Sequence, residues 1–131
     1  MHLDDAEYRR LLGFRDGLRR FLHWSEEQAK AAGLTPAQHQ LLLAVRGHDG
    51  DPTISDLADH LLLRHHSTVE LLDRAERAGF VRRETDAADH RIVRVHLTAS
   101  GARRLAGLSA VHLEELARLA PQVTPMWAGL P

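Results

Sequence analysis

Nine arginines fall between positions 64 and 104, against six carboxylates, so this stretch carries a charge of +3. The rest of the chain holds eight bases and twelve acids, a charge of −4, and the formal net charge of −1 conceals the asymmetry. Clustered guanidinium groups suit phosphate, which they meet with paired N–H donors. Ten histidines add a second chemistry, because imidazole takes a proton near neutral pH and ligates metals. His65 and His66 are adjacent and so lie on different sides of any helix. No H-x-x-x-H pair or other convergent set is visible, His60 and His39 included. A metal needs three or four such ligands, so we assign no metal and no cofactor. The chain has no cysteine, which excludes disulfides, thiolate metal sites and thiol oxidation sensing. No paired carboxylates, nucleophile–base motif or phosphate-cradling glycine loop is present, so we expect no enzyme.

These residues need elements to hold them. Tyr8, Leu11, Leu12, Leu18, Phe21, Leu22 and Ala29 recur at helical spacing, which predicts one long helix over 4–32, with Gly33 at its end. Thr35-Pro36-Ala37-Gln38 is a capping-box start for a second helix, carrying Leu41, Leu42, Ala44 and Val45 to about Arg46. The run 47–52 is a loop by composition. Thr53 or Ser55 then caps a short helix through Leu57, Ala58 and Leu61. After Leu62-Leu63-Arg64 a further helix, with Thr68, Leu71, Leu72 and Ala75 inward, reaches Ala78 and stops at Gly79. Two strands, 80–85 and 91–97, flank the polar turn 86–90. A last helix runs from Ser100 to about Ala120 on a stripe of Leu105, Leu108, His112, Leu116 and Leu119, and Pro121 stops it.

This order predicts a mainly α fold: a winged helix-turn-helix with a long helix at each end and a small β-hairpin wing. A helix of some fourteen residues fits a DNA major groove ~12 Å wide, and a basic hairpin tip reaches the neighbouring minor groove. Over roughly 35–116 the sequence resembles the multiple-antibiotic-resistance regulator (MarR) family. The residues that carry the resemblance are Leu57-Ala58-Asp59-His60-Leu61, the run from Leu71 to Arg83, Asp89-His90-Arg91 and Leu97-Thr98-Ala99-Ser100-Gly101. It implies one domain over 1–131, with a winged core at 34–99 and dimerisation helices at 4–32 and 100–131. Family members are dimeric winged-helix transcription factors, often repressors that a small ligand releases.

Carried over position by position, the resemblance places Arg64, His65, His66, Ser67, Val69, Glu70 and Arg74 on the DNA-facing helix. At the wing it makes Arg91 the minor-groove arginine, Asp89 the partner that orients it and Arg94 a phosphate contact. Arg74 has a second reading, an i,i+4 pair with Glu70. Protonated His65, His66 and His90 would strengthen phosphate contact. The family's effector pocket would be lined by Phe21, His23, Trp24 and His39, residues that ordinary core packing also accommodates.

Four features depart from the family pattern. Leu62 stands where a glycine is usual. Arg64 stands where a small capping residue is usual, so Ser67 or water must serve the first amides of the helix. Glu70, a carboxylate, faces the phosphates. Pro121 also comes early, so the dimer would lean on the two long helices and on Met126, Trp127 and Leu130 of the tail.

The function expected is a sequence-specific transcriptional regulator, a repressor, acting as a homodimer on palindromic double-stranded DNA with a small-molecule effector. The alternative is a winged-helix protein-interaction module with weak or no DNA binding. An acidic N-terminus without an apolar core and the short apolar runs imply no membrane partner and a cytoplasmic location.

Overall fold

A computed structural model describes residues 2–128, apart from the side chains of Met126 and Trp127. Leu130 lies outside the described residues. Five helices and one hairpin follow in the order α1 (Asp5–Ala31), α2 (Pro36–Gly47), α3 (Ile54–Leu61), α4 (His65–Arg77), β1 (Val81–Thr85), β2 (Val93–Leu97) and α5 (Ala99–Trp127).

Side-chain caps set most helix starts. Asp4 caps α1 by accepting from Glu7 N at 2.9 Å. Thr35 with Gln38, and Thr53 with Asp56, close reciprocal capping boxes on α2 and α3. The core is a continuous apolar cluster that includes Leu41 and Leu42 of α2, Leu57 of α3, Leu72 and Ala75 of α4, and Val81 and Val95 of the hairpin. Leu105 and Leu108 of α5 and Ala29 of α1 tie the long helices to it. At the α4–wing–α5 junction Gly101 lies directly beneath the Phe80 carbonyl; a Cβ there would sit 2.1 Å from that oxygen. Thr98 joins the same junction, donating to Gly79 O at 2.6 Å and accepting from Gly101 N at 3.1 Å.

β1 and β2 pair antiparallel, with Val81 opposite Leu97 and Thr85 opposite Val93. The second strand starts two residues later than the alternation implied. Asp89 takes the backbone there instead: its carboxylate accepts from Arg91 N and its carbonyl from Ile92 N. A bridge from Thr53 to Arg94, and Val95 N donating to Pro52 O at 3.0 Å, dock the 48–53 loop on the outer edge of β2.

The expected stop at Pro121 is overturned: α5 continues through Pro121 and Pro125 to Trp127. Each proline removes one N–H donor and crowds the preceding turn. Both prolines are exposed. Ser67 does not cap α4 either. Arg64 is the N-cap residue and no side chain caps that end; Thr68, next along, donates back to Arg64 O at 3.0 Å.

Leu62 ends α3 in the left-handed region, at φ 55° and ψ 41°, where the Cβ of an L-residue is strained by about 1–2 kcal/mol. Its side chain is 92% exposed, so packing contributes little in return. Leu62→Gly is therefore expected to raise stability by about 0.5–1 kcal/mol after the extra entropy of glycine in the unfolded chain is counted. Urea unfolding at matched protein concentration measures this, and an unchanged or lowered midpoint would count against the strain.

Candidate nucleic-acid interface

α4 divides cleanly. Thr68, Leu71, Leu72 and Ala75 are buried, whereas Arg64, His65, His66, Glu70 and Arg74 are exposed and Ser67 and Val69 half-buried. None of the expected DNA-facing residues is thus buried, and all are carried by this one helix or its N-cap. None of Arg64, His65, His66, Ser67, Glu70 and Arg74 makes a side-chain hydrogen bond or ion pair among the described residues. The alternative Glu70–Arg74 pair is not formed. The outer side is uncommitted, and at its start the first amides of α4 lack a side-chain cap. That end carries the positive pole of the helix macrodipole and favours anions.

The wing is organised by two carboxylates. Asp86 accepts from Ala88 N at 3.1 Å, Asp89 N at 2.9 Å and Arg94 Nε at 3.1 Å. The Asp89 backbone amide and then the Arg94 guanidinium hold its pKa below the usual value. Asp89 in turn grips Arg91 through Nε and Nη2, both at 3.0 Å, and accepts from Arg91 N at 3.1 Å. Hydrogen bonds from the Arg91 side chain, then its amide, lower the pKa of Asp89. Asp89 and Arg91 are thus in direct contact. The arginine stands 90% exposed yet is held in a bidentate fork. Arg94 is placed differently from Arg91: besides Asp86 it donates to Asp51 O at 2.9 Å, which fastens the wing to the 48–53 loop.

The residues expected to line an effector pocket separate. Phe21 and Trp24 of α1 pack around His112 of α5, with the Trp24 and His112 ring centroids 4.9 Å apart. His39 of α2 meets His112 at 4.9 Å and is 4% exposed. His23 is exposed and joins none of these ring contacts. Two participants were missed in the sequence, Ser25 and His112. His112 Nδ1 lies 2.7 Å from Leu108 O, so it must be the N–H donor; Nε2 then accepts from the Ser25 hydroxyl at 2.6 Å. The signal was a polar residue on each of two apolar stripes, one on α1 and one on α5. A cleft of about 210 Å³ beside the cluster is lined by residues including Ser25, Glu26, His39 and Gln40. Among the described residues no group of three or more histidines and carboxylates is arranged to hold a metal, and no helix is long and apolar enough to cross a membrane.

Residues 32–92 match the MarR family. The HTH-type transcriptional regulator YsmB of Bacillus subtilis (strain 168) is 41% identical over 54 residues, which is 41% of this chain and 37% of that protein. The chain thus spans little more than a third of that relative's length. The MarR family transcription regulator SP03579 superposes with a TM-score of 0.79 at 23% identity, covering 90% of this chain and 78% of that one. A mutant of S. aureus MepR bound to an oligodeoxyribonucleotide superposes at 0.70 with 22% identity, covering 92% and 85%.

Burial, then the electrostatic influence of the adjacent His112, pushes the pKa of His39 below its ordinary 6.5. The unfolded chain therefore takes up this proton first as pH falls, so stability is full above pH 6.5 and declines below it until the folded protein is protonated as well. His39→Leu should flatten the urea-midpoint profile in that window by up to one proton, and an unaltered slope would show that His39 is not the group responsible.

Residues 32–92 are thus similar to the MarR family, and the chain takes the winged helix-turn-helix fold of the solved MarR family regulators on which it superposes.

Proposed function

We propose that the chain is a DNA-binding transcriptional regulator, not an enzyme, that works as a homodimer with residues 1–131 acting as one unit. The observation that carries this reading is the pairing of an uncommitted outer side of α4 with an Arg91 that is exposed and still held in place. Exposed charge on a flexible arginine is ordinary; exposed charge held by a bidentate partner is arranged in advance for an anion. In this reading Arg64, His65, His66, Ser67, Val69, Glu70 and Arg74 lie along the major groove. Arg91 enters the minor groove from the wing, oriented by Asp89. Arg94 has Nε committed to Asp86 in the wing and Nη1 to Asp51 O in the 48–53 loop, which leaves Nη2 for a phosphate. The DNA-bound MepR relative supports this assignment by analogy of fold.

The long helices supply the reason for a dimer. α1 exposes Tyr8, Leu11, Leu12, Leu18 and Leu22, and α5 exposes Leu113 and Leu116. Apolar stripes of this length suit a layer of helices between two subunits. A twofold dimer presents its α4 copies to half-sites about 34–36 Å apart, so the operator is a palindrome. The cleft between α1 and α2 lies between that layer and the winged core. An effector seated there would change the spacing of the two α4 helices and release the DNA, which gives repression with ligand-dependent relief.

A second reading, a protein-interaction module, is favoured by Glu70, which lies exposed on the same side without a cation partner. Salt separates the two, because DNA binding releases counterions and weakens steeply as salt rises. DNA selected from a random pool should be palindromic and bound with a steep salt dependence. Arg91→Ala should then cost about 1–3 kcal/mol of affinity, tenfold or more, with the folded state intact. Failure to select any sequence, together with affinity that Arg91→Ala leaves unchanged, would favour the interaction module.

A further inference from the structure

Two more histidines meet on the far side of the helix-turn-helix. His48 Nδ1 and His60 Nε2 are 3.0 Å apart, and the two rings are nearly perpendicular at 81°. The second nitrogen of His48 faces Asp56 Oδ2 at 3.4 Å. We propose that His48 and His60 together bind one borderline-soft divalent cation of the zinc type, with Asp56 orienting His48 from behind and water completing the coordination.

Three independent features support the site. The first is spacing. Metal–nitrogen bonds of about 2.0–2.1 Å at angles of about 90–110° place two ligand nitrogens about 2.9–3.4 Å apart, and the observed separation falls in that range. The second is the carboxylate. A metal-ligating histidine commonly donates its other N–H to a carboxylate, which fixes the tautomer and strengthens the lone pair. The third is the backbone. His48 is the C-cap residue of α2 and His60 lies in the last turn of α3, so the negative ends of two helices converge on the pair.

Without an ion, one imidazole must donate to the other. With Nε2–H of His48 turned to Asp56, its Nδ1 is the acceptor and His60 Nε2–H the donor. On binding, that proton moves to Nδ1 of His60, both facing nitrogens offer lone pairs, and no net proton is released. Neutral nitrogen ligands favour zinc, copper or nickel over magnesium or calcium. An open cavity of about 300 Å³, lined in part by Gly47, His48, His60 and Leu61, leaves room for the water ligands. Two protein ligands are fewer than the three or four of a resident zinc centre, so the site is a weak, exchangeable one, and an ion there would clamp α3 to the end of α2. The proposal does not depend on DNA binding.

Zinc chloride titrated into the full chain by calorimetry, with histidine-ring NMR in parallel, tests it. One micromolar-range event per chain is expected, with the His48 and His60 ring signals shifting together and magnesium inert at the same concentration. His60→Gln and His48→Gln should each weaken zinc at least tenfold, and His23→Gln should not. Circular dichroism confirms that each variant is folded, and His60 is exposed, so its replacement disturbs no packing. Half an ion per chain would mean that two copies share the ion, and would support the site if the same two variants abolish it. No binding, or zinc binding that survives both variants, would overturn it.

Discussion

Everything functional in this molecule depends on α4 being buried along one stripe and bare along the other. A 13-residue helix this polar has little reason to persist alone in water. Leu71, Leu72 and Ala75 anchor it against Leu41, Leu42 and Leu57, and Thr68 is buried with its hydroxyl satisfied by the helix's own backbone. Burying each leucine contributes about 1.5–3 kcal/mol, far more than a surface ion pair supplies. Apolar packing therefore fixes where the helix lies, and the outer residues are left free of structural duty. A side chain that also held the fold together could not be given over to a ligand without loss of stability.

The wing solves a different problem by different means. Its tip has no core, so its shape comes from hydrogen bonds converging on Asp86 and Asp89. These are surface interactions, individually weak, but each carboxylate accepts three hydrogen bonds, and the Arg94 contact with Asp51 carries the restraint back to the 48–53 loop. Because the carboxylates are stabilised in their charged form, the arrangement keeps its order throughout the neutral range and loosens only as pH falls below the ordinary aspartate value of 3.8. The result is a cation placed well away from the core without a flexible tether.

Local chemistry was legible in the sequence; long-range chemistry was not. Thr35 with Gln38 lie within one turn, so their capping box could be read directly, and the apolar spacing of α4 likewise identified its inner side. The Asp89–Arg91 pair is two residues apart and was also readable, through the family pattern. Ser25 and His112 are 87 residues apart, and nothing in either neighbourhood announces the other. His48 and His60, 12 apart, meet only because α2 and α3 end at the same place. Pro121 misled for another reason: the cost of proline inside a helix is judged from propensity alone, whereas α5 continues through it at an exposed position.

The start of α4 gathers two locally unfavourable features, a left-handed leucine and an uncapped helix end. Each costs on the order of 1 kcal/mol, and both fall within three residues, at Leu62 and Arg64. The rest of the helix carries no such burden, since Leu71, Leu72 and Ala75 are fully engaged. The first turn is therefore the least stable part of α4, and it is also the part with unpaired amides at the positive end of the dipole. An anion arriving there would satisfy those amides and tighten the turn, so binding and ordering would reinforce each other. A side-chain cap would stabilise the free protein and, by occupying the same amides, remove that gain.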